Sequence, residues 1–310
     1  MEDNRKQIVS WTILISLVLV WGSSFILIKK SLLYFEATEV GILRVTLTFL
    51  FLLPIAIKKS RQVSRKMAVY LIISGAVGSL LPALFFAIAQ TNIDSGLAGT
   101  LNALTPLFTM ILGIMFFKIT TKWYNILGVL IGLIGAIGLI YASSDQAFVF
   151  NLKYASFIII ATICYAFNVN FIKIYLKTLD ALTITVLTFY YIGIPSFAYV
   201  LFFSDIPSKL FTSSESLIGM GYLSILSIAG TGLALIAFNK LIKISSPIFA
   251  SSVTYMIPVV ALSWGIIDGE VFKAGYLIWF SLIITGVLLV NASPQRRLNI
   301  GTMLLFRKRK

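Results

Sequence analysis

The chain repeats itself once along its length. Trp21-Gly22-Ser23-Ser24-Phe25-Ile26-Leu27-Ile28-Lys29 has a counterpart in Tyr165-Ala166-Phe167-Asn168-Val169-Asn170-Phe171-Ile172-Lys173. An offset of 144 pairs Ile28 with Ile172, Lys29 with Lys173, Leu32 with Leu176 and Ala37 with Ala181. Further along, an offset of 152 pairs Gly78 with Gly230, Phe86 with Phe238, Ala98 with Ala250, Pro106 with Pro258 and Gly113 with Gly265. Both copies are strongly apolar. If each holds an odd number of membrane spans, the two insert in opposite orientations, and inverted repeats of this kind place a site near mid-membrane between the halves.

Composition decides the solvent. The 310 residues are 59% hydrophobic and 12% charged, with a mean hydropathy of +0.98. A soluble domain is about half apolar and about a quarter charged, so this chain is built for lipid. Ten apolar runs are legible, at approximately 8–33, 38–57, 67–90, 94–117, 123–142, 152–175, 181–203, 216–240, 245–267 and 274–292. Most reach or approach the roughly 20 residues that cross about 30 Å of hydrocarbon as a helix. The expected fold is an all-α integral membrane protein, with ten transmembrane helices as two inverted five-helix repeats. The expected division is 1–148, 149–294 and a basic tail, 295–310. The first run follows Arg5 and Lys6, yet it is too long for a signal core and lacks a small-x-small cleavage site. It reads as a retained helix. The single cysteine, Cys164, permits no intramolecular disulfide, and there is no histidine.

The net charge of +14 is distributed as a membrane topology signal, not as a nucleic-acid footprint. Nineteen of the 25 basic residues fall at the N-terminus, in the even-numbered hairpins or in the tail, and five fall on the alternate side. The remaining one, Arg44, is inside a span. An excess of Lys and Arg marks the cytoplasmic face, so both termini are expected in the cytoplasm. The tail 296–310 encloses an apolar stretch, Leu298 to Phe306. It reads as a topology anchor, with anionic headgroups as its other possible contact.

The order of these features is familiar. Trp21-Gly22-Ser23-Ser24-Phe25 with Lys29, Arg44 in helix 2, and Ala89-Gln90-Thr91 ending helix 3 resemble EamA-type members of the drug/metabolite transporter superfamily. So do Ala98 to Phe117 around Pro106, Gly128 with Gly132/Gly135/Gly138, and Pro258, Gly269-Glu270 and Gly286. The resemblance runs from about residue 11 to 292. It implies two five-helix inverted repeats in the cytoplasmic (inner) membrane that move small metabolites, amino acids or drugs, often outward. One departure stands out. Members often carry Glu after helix 4, as Glu270 stands after helix 9, but here Lys118 is near the matching position.

Charged groups within a span default to a functional hypothesis. Arg44 is the foremost, with a guanidinium fork suited to an anionic or zwitterionic substrate. Its alternatives are snorkelling to the outer interface or pairing with Glu36 or Glu39. Lys29 either reaches the cavity or snorkels outward. Asp268 and Glu270 read as hydrated loop groups. The candidate substrate-binding set is Trp21, Ser24, Arg44, Gln90, Asn102, Tyr165, Asn168 and Tyr255, chosen because polar groups in apolar helices face other helices or wet cavities. Pro106 and Pro258 are candidate bending points, since proline frees carbonyls in the preceding turn. Gly128-x-x-x-Gly132 allows close helix approach, either within the monomer or in a weak dimer.

A secondary transporter working by alternating access is the leading expectation, with a small-molecule substrate, no cofactor, no metal and no nucleic acid. No phosphate-binding loop points to direct ATP use. A passive channel or facilitator is the alternative. A membrane-embedded enzyme is the third reading; metal-assisted transfer would need clustered Asp, Glu or His, and the carboxylates are scattered.

Overall fold

The structure, a computed structural model, describes residues 2–60, 63–117, 122–142, 148–212, 214–245, 249–250, 252–271 and 273–291. Among the described residues every regular element is a helix and no strand occurs. Hydrocarbon offers no hydrogen bonds to the backbone, and helices satisfy their own groups internally.

The long helices of the first half are α1 (Glu2–Ser31), α2 (Ala37–Ser60), α3 (Arg65–Ala89), α4 (Ser95–Phe117) and α5 (Trp123–Ala142). Those of the second half are α6 (Phe148–Tyr175), α7 (Ala181–Phe202), α8 (Ser214–Ile244), α9 (Ile257–Ile267) and α10 (Tyr276–Asn291). A short helix, Ile206–Thr212, links α7 to α8. Local chemistry sets the starts. Ser64 accepts from the Met67 N–H at the head of α3, and the Asp180 carboxylate accepts from the Thr183 N–H at the head of α7, each satisfying a donor left over by the first turn.

Among the described residues seven helices, α1–α4 and α6–α8, are long and apolar enough to cross a membrane, and α5, α9 and α10 contain shorter apolar helices. Their outer faces are apolar as well: Phe202 is 76% exposed, and Trp123 and Ile267 are each 74% exposed. Such a surface suits acyl chains and would be a liability in water. The chain is a multi-pass membrane protein. The run 245–267 is not one continuous helix among the described residues. α9 has 11 residues, about 16 Å of rise, roughly half the hydrocarbon thickness. The run that contains it is broken by a 3₁₀ turn, Ser252–Tyr255. Pro258 then sits in the first turn of α9, where its missing N–H is not needed. Pro106 occupies the same kind of place, just after α4 breaks at Ala103–Leu104 and resumes at Thr105. The two prolines therefore start helical segments and do not kink continuous ones.

Packing is reciprocal between the halves. α2 packs on α7, α5 on α10 and the first part of α4 on α9. α1 packs on α8 and α9, while α6 packs on α3 and α4. The glycine stripe of α5 is used inside the chain: a Cβ on Gly286 of α10 would run into the backbone of Gly128 and Gly132. This close approach is what the Gly-x-x-x-Gly spacing provides.

Two π-helical turns interrupt the long helices. One, Ala76–Leu80, lies within α3, and the other, Ile228–Leu233, lies within α8. They begin at equivalent positions under the offset of 152. A π turn widens the helix by one residue and shifts carbonyls off their usual partners. Here both turns face the space between the halves.

Candidate functional site

A cavity of about 100 Å³ lies where α1, α2, α3 and α4 meet α6, α7, α8 and α9. A single buried water needs only about 10–15 Å³ on this measure, so the space fits a small solute. Its wall is built twice from equivalent residues. Trp21 meets Phe238 edge-on with ring centroids 4.8 Å apart, and Tyr165 stacks on Phe86 at 6.0 Å. Trp21 and Tyr165 are repeat counterparts, as are Phe238 and Phe86. Ser24 lies against Gly230, and Asn168 lies against Gly78 so closely that any Cβ there would overlap its amide. Both glycines are in the π turns, and each lets the facing helix approach.

The π turns also supply polar contacts. The Trp21 indole N–H donates to the Gly230 carbonyl (3.0 Å). Thr48 donates to the carbonyls of Arg44 (2.7 Å) and Ser227 (3.0 Å), tying α2 to α8. Ser74 donates to the Asn168 carbonyl oxygen (2.7 Å), and the Asn239 amide donates to Thr185 (2.8 Å). Two polar atoms on the wall, Thr188 Oγ1 and Asn239 Oδ1, have no partner among the described residues.

Of the candidate residues, Trp21, Ser24, Arg44, Asn102, Tyr165 and Asn168 all line this cavity. Gln90 does not. It caps the end of α3, twelve residues or about 18 Å of helix from Gly78, and its buried amide has no partner there. The Tyr255 side chain lies outside the described residues. Ser74, Thr185, Thr231, Asn239 and Thr254 also line the cavity and were absent from the candidate set. The sequence signal for Thr231 was its neighbour Gly230, paired with Gly78, but a π turn leaves no mark in hydropathy.

Arg44 is 9% exposed. Its Nε donates to Thr231 Oγ1 (2.8 Å), whose own proton goes to the Leu226 carbonyl (3.0 Å). It is not paired with Glu36 or Glu39. Glu39 instead accepts from Lys209 (2.7 Å) and from the Glu36 N–H (2.9 Å).

Charges cluster at one end of the bundle. Lys29 Nζ lies 2.8 Å from Glu270 and 3.0 Å from Asp268, and Lys30 also pairs with Asp268. Glu270 further accepts from the Ser95 N–H (2.9 Å), the Ser95 hydroxyl (2.6 Å) and the Gly96 N–H (3.1 Å). It thus caps α4 from α9's far end, 175 residues away. Gly269, with φ of +86°, makes the left-handed turn that carries Glu270 inward, a conformation that favours glycine. Burial opposes the ionisation of Glu270, but the Lys29 ammonium and the Ser95 and Gly96 donors outweigh it and hold the carboxyl below its ordinary range. Lys29 is therefore not a free snorkelling cation, nor is Glu270 a hydrated loop group.

The opposite end differs. Lys173, the counterpart of Lys29, donates to the carbonyls of Ile242 (2.8 Å) and Ser245 (2.6 Å) at the end of α8. Lys118, at the position matching Glu270, lies outside the described residues.

Comparison with known proteins adds identity to this geometry. A solved crystal structure superposes with a TM-score of 0.64 at 14% identity, covering 97% of this chain and 99% of that one; the likeness concerns the fold. An uncharacterized transporter of Archaeoglobus fulgidus is 22% identical over 175 residues, 56% of this chain. The chain spans 61% of that relative's length. The EamA-like transporter family matches twice, over residues 9–141 and again over 152–292, one match for each half. With nearly the whole chain covered and the two matches falling on the two halves that build the cavity, the chain belongs to the EamA-like transporter family.

Proposed function

We propose that this protein is a secondary transporter that carries a small solute through the central cavity by alternating access, exporting it across the cytoplasmic membrane. The observation that carries the reading is the doubly built wall. Trp21 and Tyr165, Ser24 and Asn168, Phe86 and Phe238, and Asn102 and Thr254 face one space from equivalent places in the two halves. A site at the interface of two repeats is reached from either side when one half rocks against the other. In this reading residues 1–148 and 149–294 are inverted five-helix repeats, all ten helical units lie in the bilayer, and both termini and the tail are cytoplasmic. The reciprocal packing and the matched π turns support it. The Lys29–Glu270 cluster is then the outer closure, and the breaks before Pro106 and Pro258 are the bending points. The carrier needs no cofactor and works as a monomer or weak dimer.

The test starts from a metabolite comparison of medium and cells with and without expression. The solute found is then supplied, labelled, to proteoliposomes. A carrier gives saturable, trans-stimulated flux. Linear flux without trans-stimulation identifies a facilitator or channel, and a chemically altered solute identifies an enzyme. Single cysteines in 60–65 and near Asp145 test topology: equal labelling of both from outside intact cells would overturn it.

A further inference from the structure

Among the described residues, the wall of the central cavity carries one formal charge, and it is positive. Among the described residues that line it, Arg44 is the sole ionised side chain, and no Asp or Glu is present. The guanidinium is held by one edge. Thr231 Oγ1 receives the Nε–H, and its proton is committed to the Leu226 carbonyl, so a lone pair faces Arg44. The two terminal NH₂ groups meet no acceptor among the described residues. A cation this deeply buried, two turns into an apolar helix and without a counter-ion among the described residues, is costly. An anion delivered to the fork relieves that cost and can be held bidentately. The repeat sharpens the point. Under the offset of 144, the counterpart of Arg44 is Thr188, whose hydroxyl is unpartnered. The charge therefore sits on one side of an otherwise matched site. Around it stand the aromatic pairs Trp21–Phe238 and Tyr165–Phe86, flat apolar walls suited to a ring.

We infer that the cavity selects an organic anion: a carboxylate, sulfonate or phosphate on the Arg44 fork, with a ring-sized apolar body between the aromatic pairs. A solute bearing an ammonium group finds no carboxylate on the wall. This inference rests on the cavity being the substrate site.

A matched series tests it on the purified full chain: phenylacetate, benzenesulfonate, the neutral phenylacetamide and the cationic phenethylamine, by calorimetry and thermal shift. The two anions should bind, with the amide about tenfold weaker, the cost of one charge-assisted contact, and the amine weaker still. Arg44→Gln should erase the preference for anions. Arg44→Lys should keep the preference but weaken binding about three- to tenfold, because the planar fork is lost. Thr231→Val should weaken the anions severalfold and leave the amide unchanged; this variant and Arg44→Lys carry the test if Arg44→Gln does not fold. Tighter binding of the amine, failure of both anions to bind, or full anion binding by Arg44→Gln would each overturn the inference. Flux separates it from the transport reading. Anion binding that follows the expected order, together with no saturable flux of the solute identified from cells, leaves the anion site standing and removes the carrier. Saturable flux of the amine alone keeps the carrier and removes the anion site.

Discussion

Lys29 and Lys173 hold the same place in the two repeats, yet they meet different chemistry. Lys29 ends α1 and lies between two carboxylates, one of which reaches across to cap α4. Lys173 ends α6 and lies on backbone carbonyls at the end of α8. A helix C-terminus offers unsatisfied carbonyls and a partial negative charge of about half an electron. That is a weaker and more adaptable partner than a formed ion pair with further hydrogen bonds. Two halves that share a backbone plan can thus close their ends with unequal strength. A carrier with a firm outer closure and a softer inner one would rest with its cavity shielded from outside.

The comparison can be broken most severely at Glu270. Glu270→Lys puts an ammonium beside Lys29 and removes the cap from α4. The pair is part-buried and Lys29 keeps Asp268, so a loss of about 2–3 kcal/mol is expected; the melting temperature should fall by several degrees, and cavity cysteines should become labelled from outside. Unchanged labelling would show that the cluster is not a closure. Lys29→Met is milder, because Glu270 keeps its Ser95 and Gly96 donors. A loss of roughly 2 kcal/mol is expected from one charge-assisted contact, again with increased outer labelling.

Acid should loosen the same end. The Asp268 and Glu270 carboxyls are held below their ordinary range, Asp268 chiefly by the Lys30 ammonium and Glu270 by Lys29 and the α4 donors against the pull of burial. Their contribution is fully present above the ordinary carboxylate values, about 4, and is lost as pH falls through the depressed native ones. Asp94 opposes this in part. Burial and the nearby Glu270 charge raise its carboxyl, so it protonates earlier and relieves repulsion. Melting temperature should therefore stay flat from neutral to mildly acidic pH and drop steeply below about 4. Glu270→Gln should start lower and drop less. An equally steep drop in Glu270→Gln would assign the acid sensitivity elsewhere. The smallest effect is expected at the other end. Lys173→Met should cost about 1 kcal/mol, since the carbonyls it leaves can rehydrate near the interface, and should not change labelling from outside. A loss equal to that of Lys29→Met would erase the asymmetry.

Much of this molecule could be read from its sequence. Hydropathy and run length are local quantities, so they located the helices and the membrane. The paired positions located the duplication, and with it the neighbourhood of the cavity: Trp21, Ser24, Tyr165 and Asn168 were legible because each repeats the other's place. Arg44 was legible because a charge inside a span is rare. Other features depended on residues far apart in the chain. Nothing near Glu270 tells that it will cap Ser95, and nothing near Arg44 tells that Thr231, 187 positions later, will orient it. Gln90 looked like a cavity residue because it is a polar group ending an apolar run, but depth along the helix put it beyond reach. The 3₁₀ turn before α9 and the two π turns were likewise invisible, since each replaces one helical hydrogen-bond pattern with another without changing residue polarity. The sequence by itself determined which segments are apolar enough for lipid and that the chain comes as two related halves, because transfer from water to lipid is summed residue by residue. Only the tertiary structure decided which charges meet and that Arg44 lines the cavity without a carboxylate beside it, because those depend on side chains brought together by packing across the two halves.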